Sequence, residues 1–286
     1  MAAELSSWVL QGSFGRVTIN TTDQGIVEHV HRELNIIFKL AGADSYMVAQ
    51  GMELALDDES VLLFNPWLSH AKIASPGAPA TILSLFIDPH WLAEHFPSVC
   101  PDRLFADLRR TLTPELRLQA SRFAEAIMGH MLDETRRCET LLVGLLASVI
   151  QAFGVRRDTL SLASAGRPVD YRIRKALAYV HAHAAENPRV EDIARMVGLS
   201  RSRFFEQFTR CVGVSPRHYI DSLRLGIATR WLTANEGPLG ELADTLSFGA
   251  HSNFTRFFTQ HVALSPSEFR RQTISLNDLD DPHPRP

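Results

Sequence analysis

His29 and His31 stand two residues apart, Glu33 follows, and His70 closes the stretch Asn65-Pro66-Trp67-Leu68-Ser69-His70. On an extended strand, residues two apart share a face. Three imidazoles brought to one point form a ligand set for a transition metal. The same side chains can instead line a polar pocket for a small molecule, with Phe38, Phe64, Trp67 and Phe86 as candidate apolar walls. The pocket is the reading adopted, although core packing suits at least two of those four aromatics. No cofactor and no catalytic residue is assigned; His29, His31 and His70 are the candidates should a metal bind. Cys100, Cys138 and Cys211 are scattered and odd in number, which suggests neither a zinc ribbon nor a disulfide framework.

A second kind of chemistry is written twice near the C-terminus. At an offset of about fifty residues, Ser202, Phe204, Phe208, Thr209, Val212, Ser215 and Pro216 recur as Ser252, Phe254, Phe258, Thr259, Val262, Ser265 and Pro266. The pair Ile193-Ala194 recurs as Leu242-Ala243, with one residue inserted in the turn that follows. In the first copy Ile193, Ala194 and Val197 share a helical face. Gly198 can take the left-handed conformation that ends a helix, and Ser200 can cap the next one. Phe204 and Phe208 then face inward and Arg201, Ser202, Phe205 and Glu206 outward. Ser215-Pro216 supplies a cap and a preset first turn, and Ser265-Pro266-Ser267-Glu268 spells a capping box. Each copy is therefore a helix–turn–helix, whose small Ala194 or Ala243 permits a close crossing.

This doubled order resembles the DNA-binding domain of the AraC/XylS family of bacterial transcription regulators. The resemblance runs over residues 171–271 and includes Leu223-Arg224-Leu225 and the closing Ser265-Pro266-Ser267-Glu268-Phe269-Arg270. It implies seven helices, with the 216–234 helix joining two subdomains. It also implies recognition helices near 201–211 and 251–261 in successive major-groove segments about one turn apart. The implied DNA-facing residues are Arg201, Ser202, Arg203 and Glu206 in the first helix and His251, Ser252, Asn253 and Arg256 in the second. Three positions depart from the family pattern. Ser247 and Ala263 stand where glycine is usual, which should strain two turns, and Glu206 stands where a basic residue is common. The partners implied are promoter DNA, a small-molecule effector, RNA polymerase and a second copy of the chain.

The rest of the chain fits such a regulator. Residues 169–275 carry 14 Lys and Arg against 10 Asp and Glu, although the whole chain has a net charge of −3. The basic excess thus falls on the half that would meet phosphate. In the first hundred residues, segments 16–21, 34–41, 46–50, 60–64 and 81–87 are rich in branched and aromatic residues. Turn signals separate them, with a tight corner at Gln50-Gly51-Met52, as in a compact β-barrel or jelly roll. The stretch from Asp58 to His70 resembles cupin barrels, which AraC-type regulators commonly carry as sensors.

Helices are expected from Pro114 through Leu116, Phe123, Ile127 and Met131, and again over 139–155, as dimer contacts. The apolar run 141–155 is too short to span a membrane and contains Ser148 and Gln151. The N-terminus shows no secretory pattern, and a cytoplasmic location is expected. The expected fold class is two-domain α+β: an N-terminal cupin-like β-barrel with a helical appendage, then an all-α domain of two helix–turn–helix subdomains. The expected boundaries are a barrel over 1–112, a helical region over 113–156 and a linker over 157–168. A DNA-binding domain over 169–274 and a disordered tail over 275–286 complete the chain. Two other classes stay open. One is a cupin-type metalloenzyme fused to DNA-binding helices. The other, a DNA alkyl-transfer repair protein, needs clustered N-terminal cysteines, whereas the first is Cys100.

Overall fold

The computed structural model describes residues 7–129, 135–155, 170–234 and 237–275. The expected linker at 157–168, Met131 and the tail from 276 onward lie outside the described residues. The N-terminal half is built around two facing sheets, antiparallel except where β11 joins the edge of the larger one. The larger has the order β10 (Arg109–Thr111), β7 (Ser60–Phe64), β4 (Leu34–Gly42), β9 (Ala80–Ile87), β2 (Gly15–Thr22), β1 (Ser7–Gly12) and β11 (Thr273–Ser275). The smaller runs β3 (Ile26–His29), β8 (His70–Lys72), β5 (Ser45–Ala49) and β6 (Met52–Leu56). The five expected strands are present as β2, β4, β5, β7 and β9. The corner at Gln50 and Gly51 joins β5 to β6 with φ of 52° and 75° at the two residues. Left-handed backbone at both positions matches the twist of a two-residue hairpin.

The alternation of side chains along the large sheet sets up everything that follows. Val17, Ile19, Ile36, Phe38, Leu83 and Leu85 point to one face and form the main core with α2 (Pro114–Met128) and α3 (Thr135–Phe153). Arg16, Thr18, Asn20, Asn35, Ile37, Ser84 and Phe86 point to the other face, toward the small sheet. Helix α2 begins at a Thr113 cap with Pro114 in its first turn, and buries Leu116, Ala120, Phe123, Ala124 and Ile127 at helical spacing. Helix α3 starts at Thr135, earlier than expected, and ends at Phe153. A short helix α1 (Pro89–His95), capped by Asp88, follows β9.

The C-terminal half contains seven α-helices among the described residues: α4 (Tyr171–His183), α5 (Val190–Met196), α6 (Arg201–Val212), α7 (Pro216–Ala234), α8 (Leu239–Thr245), α9 (His251–Val262) and α10 (Pro266–Gln272). Helices α5–α6 and α8–α9 are the two helix–turn–helix units, and α7 joins them. The two interhelical turns close alike: Leu199 N–H donates to Ala194 O at 2.9 Å, and Phe248 N–H donates to Ala243 O at 2.8 Å. Gly198 (φ 70°) and Ser247 (φ 55°) occupy the left-handed position of each, as Gly213 (φ 89°) and Ala263 (φ 59°) do after α6 and α9.

A side chain in that backbone region costs on the order of 1 kcal/mol relative to glycine. Ala263→Gly is therefore expected to raise unfolding stability by about 0.5–1 kcal/mol. Urea denaturation of the full chain would show it as a higher midpoint at constant slope, and an unchanged midpoint would mean this turn stores no strain.

The two halves meet over a broad contact. Val30, beside β3, is buried among Ile173, Ile193, Phe208 and Ile220 of the first subdomain, and Val9 of β1 among Leu225, Phe254 and Phe258 of the second. Trp67 stacks on Tyr219 at 4.8 Å, and His181 Nε2 lies 2.7 Å from the Tyr219 hydroxyl. Strand β11, beyond α10, pairs in parallel with β1, Val9 opposite Thr273 and Leu10 opposite Ile274. Ser275, expected in the tail, pairs with Gln11 instead.

Candidate nucleic-acid interface and ligand cavity

The second helices of the two units, α6 and α9, are fixed from beneath by phenylalanines. Phe204 and Phe208 are fully buried with ring centroids 5.5 Å apart, and Phe254 and Phe258 repeat the arrangement at 5.9 Å. Ser200 Oγ accepts from Arg203 N–H and caps α6, Ser215 Oγ accepts from His218 N–H at the start of α7, and Ser265 with Glu268 forms the complete capping box of α10. Helix α9 starts at Ala250 without a side-chain cap.

All eight side chains expected to meet DNA are exposed: Arg201, Ser202, Arg203 and Glu206 on α6, and His251, Ser252, Asn253 and Arg256 on α9. Arg201 Nε lies 2.6 Å from Glu191 Oε1, so that arginine already holds an exposed ion pair within the protein. Arg256 Nη2 donates to Asn253 Oδ1 at 3.1 Å. A groove on α6 joins Ser202, Arg203 and Glu206 to Gln207 and Arg210. Arg210 was not among the expected residues; its i+4 spacing from Glu206 was the available signal. Phe205, 48% exposed between them, offers an apolar surface of the kind that meets a thymine methyl.

The second site is a cavity between the two sheets, with about 750 Å³ of atom-free space including its mouth. Its floor is Arg16, Asn35 and Phe86, three lateral neighbours on β2, β4 and β9. The small sheet contributes His29, His70 and Lys72, and His31 follows β3. Its roof is Leu225 of α7 and His261 and Val262 at the end of α9, so the helical half closes the cavity.

His29 and His70 face each other in register across β3 and β8. Each of the three barrel histidines places Nδ1 on a backbone carbonyl: Val27 O at 2.8 Å for His29, Glu33 O at 2.9 Å for His31 and Leu68 O at 2.8 Å for His70. A carbonyl can only accept, so each Nδ1 carries the proton and each Nε2 is left as an acceptor. Burial, reinforced by the neighbouring rings, pushes His31 and His70 down to about 3 and His29 well below the usual histidine range. The rings are therefore neutral near pH 7. Arg16 is half-buried with its guanidinium 4.3 Å from the Phe86 ring, and its Nε has no hydrogen-bond partner among the described residues. Burial lowers its pKa and the charge of Glu33 offsets part of that.

Of the expected pocket residues, His29, His31 and His70 line the cavity together. Phe38 and Phe64 do not: both are fully buried, Phe38 in the core under α2 and α3, and Phe64 stacked beneath His70 at 4.5 Å. Trp67 lines a separate cleft between the halves with Tyr219. Phe86 is the aromatic that does face the cavity. Arg16, Asn35, Lys72 and His261 escaped sequence reasoning. The period-two pattern of β2 carried a signal for Arg16, and none pointed to His261.

Fold and site together define a two-domain protein in which a double helix–turn–helix unit roofs the cavity of a β-barrel. Comparison with known proteins gives the same class. A family described as a helix-turn-helix domain matches residues 193–272. The regulatory protein PocR of Salmonella typhimurium is 30% identical over 105 residues, covering 37% of this chain and 35% of that protein. The arabinose operon regulatory protein of Escherichia coli is 30% identical over 138 residues, covering 48% and 46%. The chain thus spans less than half the length of these two relatives. Among solved structures, unsaturated fatty acid bound ToxT from Vibrio cholerae is similar in fold along both chains, with a TM-score of 0.53 over 94% of each at 16% identity. The chain is thus similar to these regulators over its helical half, and to a solved two-domain structure in its overall fold. Among the described residues no helix is long and apolar enough to cross a membrane.

Proposed function

We propose that this chain is a transcription regulator that binds promoter DNA through α6 and α9 and answers to a small molecule in the barrel cavity. The observation that carries the reading is the cavity roof. Leu225, His261 and Val262 belong to the linking helix and to the second recognition helix, so a bound molecule touches the DNA-reading unit itself. A ligand shifts a conformational equilibrium only by its differential affinity for the two states. A molecule that fits the cavity better when α9 is docked, or when it has moved away, meets that requirement.

The unpartnered Arg16 Nε, buried in the cavity floor, favours an effector with an acidic group. In this reading the barrel occupies 1–112, α2 and α3 serve a homodimer, residues 157–168 connect the halves, and 169–274 bind DNA. RNA polymerase is the further partner, the compartment is the cytoplasm, and the chain carries out no catalysis.

Footprinting of full-length protein on genomic fragments that it selects tests the reading. Protection is expected over two major-groove segments about one turn, 10 bp, apart. Equal affinity for selected and random fragments would remove the regulator reading. The same assay examines Glu206, whose carboxylate can accept from cytosine N4 but repels phosphate. Glu206→Gln is expected to leave non-specific binding unchanged or stronger while narrowing the gap to the selected site at fixed salt. An unchanged ratio takes Glu206 out of the reading set.

A further inference from the structure

The three barrel histidines have a geometry that an organic effector does not require. One ring nitrogen from each of His29, His31 and His70 lies within 4.8 Å of the other two, and all three residues are buried. Their ring centroids are 4.5 Å apart for His29 and His70, 5.0 Å for His31 and His70, and 5.8 Å for His29 and His31. Imidazoles that share an ion at ~2.0–2.1 Å have centroids about 4.5–5.2 Å apart for bond angles between octahedral and tetrahedral. Two of the three pairs already meet that spacing. Each Nδ1–H is tied to a backbone carbonyl, which fixes the tautomer that points Nε2 inward. That is the outer support on which metal-bound histidines depend.

A fourth histidine comes from the other half of the protein. His261, on the last turn of α9, donates Nδ1–H to Phe257 O at 2.7 Å, so its Nε2 is also an acceptor. Its ring stands 6.4 Å from that of His29 and lines the same cavity.

We propose that His29, His31 and His70 bind one divalent transition-metal ion, and that His261 closes on it from the second recognition helix. The ion is of the kind imidazole favours, such as zinc, nickel or ferrous iron. Closing His261 to the tetrahedral spacing needs a movement of about 1.2 Å, small enough for a helix end that already rests on β3. Three charged groups bear on the site. Arg16 and Lys72 line the same cavity and oppose a cation, while Glu33 Oε2, 3.8 Å from His31 Nδ1, offsets part of that. The Asn35 amide, 3.4 Å from His31 Nε2, is a long contact that an ion would displace. Because α9 also bears Asn253 and Arg256, metal and DNA binding become linked, and the coupling is reciprocal.

The test is titration of chelator-treated, full-length protein with Co²⁺, followed by competition with Zn²⁺. One equivalent per chain is expected, with the intense visible absorption of four-coordinate cobalt. His31→Gln and His70→Gln, which keep polar side chains of similar length, should each weaken the site about 100-fold or more, beyond the ~10–100-fold that loss of an outer partner costs. Urea midpoints of the metal-free variants establish that they are folded. His261→Ala should keep one equivalent, weaken it about tenfold, and shift the visible cobalt bands as water takes the fourth position in place of an imidazole. Absence of a saturable site, or folded His31→Gln and His70→Gln proteins that bind as tightly as the original, would overturn the metal site. An unchanged affinity and spectrum in His261→Ala would overturn the closure by α9. These measurements involve no DNA, so they stand or fall apart from the regulator reading; the expected change of DNA affinity on adding Zn²⁺, lost in His261→Ala, rests on both.

Discussion

Arg224→Ala is expected to lower unfolding stability by about 2–4 kcal/mol, a large fraction of what holds a domain together. Arg224 is 1% exposed, in the middle of α7. Its Nη2 donates to Leu246 O at 2.6 Å, the carbonyl at the end of α8 where the second helix–turn–helix bends. Its guanidinium also lies 4.1 Å from the Phe248 ring and 5.3 Å from that of Phe257. Burial lowers its pKa to about 10, so it remains a cation at neutral pH. Alanine removes a charge-assisted bond, leaves a buried carbonyl without its donor and opens a cavity under two aromatic rings. Denaturation by urea, read by circular dichroism, gives the number. Arg224→Met separates the causes, since it restores volume without the donor. A loss below about 1 kcal/mol in Arg224→Ala would show that α7 and the second unit are not joined through this residue.

Arg256→Ala is expected to cost about 1–3 kcal/mol of affinity for a specific DNA site and to relax preference at one base pair. Arginine can grip guanine O6 and N7 with two donors, and asparagine can do the same for the adenine edge. Arg256 and Asn253 are exposed on one face of α9 and joined by a 3.1 Å hydrogen bond. That bond takes one of the two lone pairs of the Asn253 carbonyl and so orients the amide on the helix face. Loss of the arginine should therefore alter selectivity at the neighbouring base as well. The measurement is competition between the selected site and its single-base variants at fixed salt. Equal weakening on specific and random DNA would assign Arg256 to phosphate.

The reading of the C-terminal half from sequence succeeded for a local reason. Ser200, Ser215 and Ser265 cap helices within three residues of themselves, and Phe204 with Phe208 declares a buried face by spacing alone. Even Ser247 and Ala263, odd in the family pattern, were legible as strained turns, and both adopt left-handed backbone. The short strands β3 and β8 were not visible, because three or four residues carry too little pattern. Strand β11 was hidden for a different reason: its pairing with β1 joins residues at opposite ends of the chain.

The cavity shows the division most sharply. Sequence placed His29, His31 and His70 together, since an i, i+2 pair shares a face and a third histidine follows a turn. It also offered Phe38 as a wall, but in a strand a shift of one residue reverses the face. Ile37 and Asn35 look into the cavity and Phe38 into the core. Repeated caps and spacings therefore determined from sequence alone that this chain carries two helix–turn–helix units behind a β-rich domain. Only the tertiary structure decided that His261 of the second unit stands over the histidines of the first domain, because no local rule relates residues about two hundred positions apart.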